Sequence, residues 1–222
     1  MTLEELIRRF RTLAVDKVQP YLFADEDVID WLNDAQRQAC IRGRLLREDA
    51  NPAVCEIALT PGQRTYPLHK SVYEIINARI VPGNGDRART VFLASREWMD
   101  ENMPDWRDEQ GQAEFAIQDD TSIRVVGVIT TGDKLVIECY RTPLKMLAND
   151  TDKPEIHEAH HEYLIQWALH KAFSVVDADT FDAQRSGRAE DAFSRYFGLL
   201  PDSDLRRVTR ADVPHHNAAI LP

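Results

Sequence analysis

The sequence predicts an α+β protein: a helical bundle made from both chain ends, an antiparallel β unit inserted between the second and third helices, and an extended C-terminal tail. Three observations carry this expectation. Apolar residues recur at helical spacing to about residue 50, at alternate positions from about 53 to 141, and at helical spacing again from about 154 to 200. Beyond Leu200 neither period persists. The expected segments are therefore 1–50, an N-terminal helical hairpin; 53–141, the inserted β domain; 154–200, the C-terminal helices; and 201–222, the tail.

In the first helix, Thr2 and Glu5 form a capping box, and Leu3, Leu6, Ile7, Phe10, Leu13 and Ala14 make one apolar stripe. A loop through Pro20 leads to a second helix, for which Asp25 is the expected cap and Val28, Leu32, Ala35, Ala39 and Leu46 the buried stripe, with Trp31 nearby. Alternation then begins at Cys55, Ile57 and Leu59, and "TPGQ" is expected to turn this strand into a hairpin with "RTYPL". "VYEIINARIV" and "RTVFL" flank the glycine turn "PGNGDR". A short helix is expected to start at Ser95 and end before Pro104, after which "EFAIQ", "SIRVV" and "KLVIECYR" complete the strands. Following the linker "TPLKMLANDTDKP", Ile156, Ala159, Tyr163, Trp167 and Ala168 mark a third helix, and Phe181, Ala189, Phe193, Tyr196 and Phe197 a fourth.

Composition narrows the function classes. A hydrophobic share of 43% is that of a globular protein, and no aliphatic run is long enough to span a bilayer. The opening "MTLEELIRRF" lacks the apolar core and cleavage site of a signal peptide, so a cytoplasmic origin is expected. Cys40, Cys55 and Cys139, three in number and irregularly spaced, suit buried thiols better than a disulfide framework or a zinc ribbon. Net charge is −10, and residues 97–120 supply most of it, with nine acids against Arg107 alone. Such a segment repels phosphates, which argues against tight nucleic-acid binding through it. Its residues Asp100, Glu101, Asp105, Asp108, Glu109, Asp119 and Asp120 are expected to form a solvated patch. The tryptophans at 31, 98, 106 and 167 are read as core or interface anchors.

One motif suggests catalysis. His157, Glu158 and His161 have the spacing H-E-x-x-H, which on a helix places two imidazoles one turn apart beside a carboxylate, the arrangement of a zinc hydrolase. The motif lacks a third ligand: Leu164 stands where the longer version has glycine, and Glu190 is the remaining carboxylate candidate, a full helix away. No G-x-S-x-G and no phosphate-binding glycine loop is present. The zinc reading is the alternative; an unoccupied, non-catalytic chain without cofactor is the expectation. In the tail, Leu205, Val208, Val213, Ile220 and Leu221 are apolar residues without a helix face to serve, and Arg206, Arg207 and Arg210 could pair with a partner's carboxylates. These eight residues are the expected interface with a partner or neighbouring subunit.

Several stretches taken in order, "LFADEDVIDWLNDAQRQACIRGRLL", "LTPGQRTYPL", "VYEIINARI", "MPDWRDEQGQAEFAI", "YRTPLKML" and "EIHEAHHEYLIQWALHKAF", resemble the tailed-phage head-to-tail adaptor (connector) family, related in architecture to the tail tubular protein A adaptors. The resemblance covers roughly residues 1–198. Asp25, Glu26, Trp31, Leu32, Asn33, Ala35 and Gln36 match the family's second-helix pattern, and His161, Glu162, Leu164, Ala168 and Ala172 its third-helix pattern. His157 stands where many relatives have proline, which is how H-E-x-x-H comes to be completed. The resemblance implies a structural virion protein at the head-tail junction. It would form a twelve-subunit ring beneath the portal protein, continue the DNA channel without specific DNA binding, and offer a surface to a downstream tail or nozzle protein. The acidic patch would then line the channel or face the tail, and the C-terminal segment would dock on the portal or a neighbour.

Overall fold

The computed structural model describes residues 1–108, 110–176 and 180–200. It divides the described chain into two compact units. One comprises Met1–Glu48, Ser71–Glu74 and Tyr140–Leu200; the other comprises Asp49–Lys70 and Ile75–Cys139.

The first unit is built on four helices. Helix α1 (Leu3–Ala14) starts at the expected capping box: Glu5 N–H donates to Thr2 Oγ1 at 3.3 Å, and Thr2 N–H donates to Glu5 Oε2 at 2.9 Å. It ends at Val15, a β-branched residue in the left-handed region at φ 64°. Helix α2 (Asp25–Gly43) corrects one expectation, because its N-cap is Ala24 and Asp25 caps nothing. The Asp25 carboxylate instead accepts from the buried Arg11 guanidinium at 2.5 Å, beside Asp16 at 2.6 Å. A buried guanidinium left without carboxylates is far more costly than a helix end left to water, so Arg11 takes the side chain.

Helix α5 (His161–Ser174) and helix α6 (Ala183–Phe197) complete the unit, α6 being capped by Asp182 Oδ1, which accepts from Gln184 and Arg185 N–H groups at 3.0 and 2.9 Å. Phe181, expected on the apolar stripe, precedes that cap and is exposed. The stripes meet at most of the expected positions, but Leu13, Ala159 and Tyr163 are exposed, and Leu46 lies beyond the end of α2 and is half-buried. Leu3, Leu6 and Phe10 of α1, Val28 and Leu32 of α2, Leu164 and Ile165 of α5, and Phe193 of α6 are fully buried in one core. Each such side chain contributes about 1.5–3 kcal/mol of transfer free energy. Phe23 meets Phe10, Trp31 and Phe173 edge to face, and Phe10 and Trp31 close the cluster at a tilt.

The sheet overturns the expected architecture. The sequence predicts a helical bundle with an inserted antiparallel β unit; the protein instead carries a large curled sheet of eight strands, a mixed half-barrel. Its strands are β1 (Arg47–Glu48), β2 (Glu56–Ala58), β3 (Thr65–Pro67), β4 (Val72–Val81), β5 (Arg89–Leu93), β6 (Phe115–Gln118), β7 (Ser122–Val126) and β8 (Lys134–Arg141). They lie in the order β1-β8-β4-β5-β6-β7-β3, with β2 also paired to β8. A short helix α3 (Pro52–Cys55) precedes β2, and helix α4 (Arg96–Asn102), capped by Ser95 as expected, follows β5.

Two pairings account for the difference. The β5–β6 pair is parallel, with Phe92 opposite Phe115 and Leu93 opposite Ala116. Parallel neighbours need a long crossover, and the segment holding α4 and the 3-10 turn Trp106–Asp108 is that crossover rather than an excursion from an antiparallel meander. The expected 55–68 hairpin also does not form as a ladder. Strand β2 pairs with β8 and β3 with β7, while the loop between them is held by the Tyr66 hydroxyl, which donates to Gln63 O at 2.7 Å and accepts from Thr60 N–H at 3.0 Å. Alternation identifies strands but says nothing of their partners, and a turn signal can join strands that pair elsewhere. The glycine turn between β4 and β5 and the turn between β6 and β7 do join antiparallel neighbours as expected. Gly127 closes β7 at φ 116°, with the Ala113 backbone where a Cβ would stand, 2.5 Å away. Among the described residues no helix is long and apolar enough to cross a membrane.

Candidate functional site

The H-E-x-x-H residues do not lie on one helical face. His157 has extended backbone (φ −58°, ψ 141°) and caps a 3-10 turn, Glu158–His160, through its Nδ1, which accepts from Ala159 N–H at 3.2 Å. Helix α5 starts only at His161, so the third helix begins later than Ile156, although Ile156 is buried as expected. The His161 ring is buried, with Nε2 2.9 Å from Ile156 O and Nδ1 2.9 Å from the Met1 amine. A carbonyl can only accept, so Nε2 carries the proton and Nδ1 is the acceptor. The lone pairs that would hold zinc are thus spent on N–H groups. Burial pushes the His161 pKa below the usual histidine range, opposed by the hydrogen bond to Ile156. Glu158 points to the Met1 amine at 3.2 Å, and Glu190 lies 3.9 Å from His170. Among the described residues no three His, Cys, Asp or Glu side chains are grouped to hold a metal ion.

The α2 motif residues have a different task. Asn33, 3% exposed, donates through Nδ2 to Leu147 O at 2.9 Å and accepts through Oδ1 from Leu147 N–H at 2.8 Å. Gln36 Oε1 accepts from Glu155 N–H at 3.3 Å. Together they clasp the linker between β8 and α5 to one face of α2. Asp152 folds that linker on itself, accepting from Ala148 and Asn149 N–H groups at 3.0 and 2.9 Å and from Lys145 at 2.8 Å. The Lys145 bond, then those two amides, hold its carboxyl far below the usual carboxylate range. Arg141 adds a buried anchor, bridging Glu48 at 3.0 Å and Glu155 at 2.5 Å. Sequence reading missed Arg141, yet the signal was present: in "KLVIECYR" it alternates in phase with Leu135, Ile137 and Cys139, all buried, so a charge was bound for the inner face.

The acidic segment is less uniform than its composition. Asp100 accepts from Arg107 at 2.5 Å and from Trp106 Nε1 at 2.8 Å, and these bonds, Arg107 first, lower its pKa. Asp119 receives Arg96 through two bonds at 2.6 and 3.2 Å. Glu101, Asp105, Asp108 and Asp120 are exposed, while Glu109 lies outside the described residues. Trp106 is buried, and the Arg107 and Arg124 guanidiniums stand 4.4 and 4.8 Å from its ring centroid.

The helical unit exposes a second kind of surface. Val15, Val18 and Leu22 of the α1–α2 loop and Val175, Val176 and Phe181 of the α5–α6 loop are half or more exposed. Arg185 Nη2 donates to Leu13 O and Ala14 O at 3.1 and 3.3 Å, and Phe23 meets Phe173 at 5.9 Å, so these loops share one end of the unit. Leu199 and Leu200, after α6, are also exposed. The interface expected at Leu205, Arg206, Arg207, Val208, Arg210, Val213, Ile220 and Leu221 lies outside the described residues.

No curated protein matches the chain. The family model described as SU10 adaptor protein matches residues 1–216, nearly the whole of it. The chain therefore belongs to the SU10 adaptor protein family, a family of phage head-to-tail adaptors.

Proposed function

We propose that this chain is a non-catalytic structural protein of the virion, made in the host cytoplasm, that assembles as a twelve-subunit ring at the head-tail junction, joins the portal protein to the tail and continues the DNA channel. Family membership over residues 1–216 carries this reading. The hydrogen bonds of His157 and His161 support it, since each ring already serves a local backbone contact instead of sharing one helical face with the other. Portal and downstream tail proteins are the partners this role requires, together with neighbouring copies of the chain.

The apolar end formed by Val15, Val18, Val176 and Phe181 is suited to burial against such a partner. The tail residues Leu205, Val208, Val213, Ile220 and Leu221 supply further apolar anchors, and Arg206, Arg207 and Arg210 supply register more than affinity. The exposed acids Glu101, Asp105, Asp108 and Asp120 would keep DNA moving past without sticking wherever they face the channel.

Deletion of residues 201–222 tests the docking role. The shortened chain should keep the far-ultraviolet circular dichroism and melting profile of the full chain, because the α6 core residues Phe193 and Phe197 are buried among described residues. Co-sedimentation with portal should be lost. Retention of both portal binding and ring formation would remove the tail from the interface.

A further inference from the structure

The region that composition marks as acidic contains a cluster of four arginines. Arg107 and Arg124 stand over Trp106, and Arg64 and Arg96 lie close enough to Arg124 for their charges to act on it, all four within the second unit. Two are neutralised, Arg96 by Asp119 and Arg107 by Asp100. Neither of the other two forms an ion pair among the described residues, although the Asp119 charge reaches Arg124. Arg64 donates through Nη1 to the backbone carbonyl of Arg107. Arg124, on β7 opposite Thr65 of β3 and Ile117 of β6, has its Nε buried without any hydrogen-bond partner. Its guanidinium rests on the face of Trp106 at 4.8 Å. Burial, and next the charges of Arg64, Arg96 and Arg107, disfavour its charged form.

A strand residue chosen only for stability would not be an arginine held in this way. The indole face offsets part of the cost of desolvation, but a guanidinium carries five N–H donors in a fork that matches one planar oxyanion. We propose that Arg124 and Arg64, positioned by Trp106 and by the Arg107 backbone, form a receiving site for a single carboxylate, an aspartate or glutamate side chain presented by another protein chain. Charge selects this ligand over a nucleic acid. Asp100 and Asp119 already occupy two of the four arginines, and Asp105 and Asp108 flank Trp106 and Arg107 in the chain, so successive phosphates would meet carboxylates beside the site, whereas one carboxylate needs only Arg64 and Arg124. The inference stands apart from the ring and its subunit number.

Full-length protein titrated with glutarate, whose carboxylates stand for an acidic side chain, tests the site through tryptophan fluorescence, with inorganic phosphate and a short DNA duplex as parallel probes. Glutarate should give a saturable change that weakens at least tenfold in Arg124→Gln and in Arg64→Gln and is partly kept in Arg124→Lys. In the absence of ligand, Arg124→Met should melt at or above the temperature of the unmodified chain, because it removes a half-buried charge whose Nε has no hydrogen-bond partner. Arg64 is exposed, so its variant reports binding even where a change at Arg124 disturbs the fold. The proposal fails if glutarate gives no saturable response, if the response is unchanged in both glutamine variants, or if phosphate or the duplex binds and glutarate does not. It also fails if Arg124→Met melts well below the unmodified chain, which would make the arginine a structural member of the unit.

Discussion

Replacing Asn33 by alanine should release the linker between β8 and α5 from α2. Both hydrogen bonds of the Asn33 amide go to one residue, Leu147, and both residues are 3% exposed, so water cannot take over the vacated positions without the linker moving. The substitution leaves one N–H and one C=O of Leu147 unsatisfied. At about 1–3 kcal/mol for each buried group, the expected loss is about 2–6 kcal/mol, a large share of the stability of an ordinary domain. Urea unfolding followed by the helical circular-dichroism signal measures it, with the denaturant slope checked for constancy. Asn102→Ala is the matched control. Its amide donates to Trp98 O in an exposed position, and its loss should be about 0.5 kcal/mol or less. If Asn33→Ala costs under about 1 kcal/mol, the clasp is replaceable and the structural role given to the α2 motif is wrong.

Three further outcomes follow from the same geometry. Val15→Gly should stabilise the chain by about 1 kcal/mol in thermal unfolding, because an exposed β-branched residue at φ 64° ends α1 where glycine carries no Cβ penalty. His161→Gln should flatten the acid side of the stability profile. Burial lowers the folded-state pKa of His161, so the unfolded chain binds the extra proton first, and stability is lost as pH falls below about 6.5, the unfolded value. A variant as pH-sensitive as the original between pH 7 and 5 would assign that loss to another group. Finally, a thiol reagent should label none of Cys40, Cys55 and Cys139 in the native protein and all three in denaturant, since all are buried and the Cys40 thiol is pushed up to about 12, by burial first and then by Glu155. Rapid labelling of any one would contradict the packing described for it.

Local features were the most legible in the sequence. The Thr2–Glu5 box, the Ser95 cap, the apolar stripes of α1, α2, α5 and α6 and the glycine turn before Arg89 each depend on residues close together in the chain, where spacing is a direct physical constraint. What spacing could not convey was partnership. Nothing near Leu93 reveals that its strand will run parallel to β6, because that depends on where the α4 crossover lands. Asp25 had the right chemistry for a cap, and only the arrival of Arg11 from the preceding helix redirected it.

The candidate sites divide along the same line. H-E-x-x-H is a statement about a helix, and it lost its force once a 3-10 turn separated His157 from α5. The acidic count of residues 97–120 was correct, but charge along the chain is not charge in space. Arg96 and Arg107 pair with Asp119 and Asp100, and Arg124 reaches the same region from β7. By contrast, Asn33 and Gln36 were noted only through a family pattern, and their bonds to Leu147 and Glu155 give that pattern a physical reason.

The most direct test of the adaptor role is electron-microscopic imaging of the purified chain mixed with the portal protein of the same phage. The expected image is a closed ring of twelve copies seated at the outer end of the portal, coaxial with its channel. A chain that stays monomeric in the presence of portal, or that binds it away from the channel axis, would contradict it.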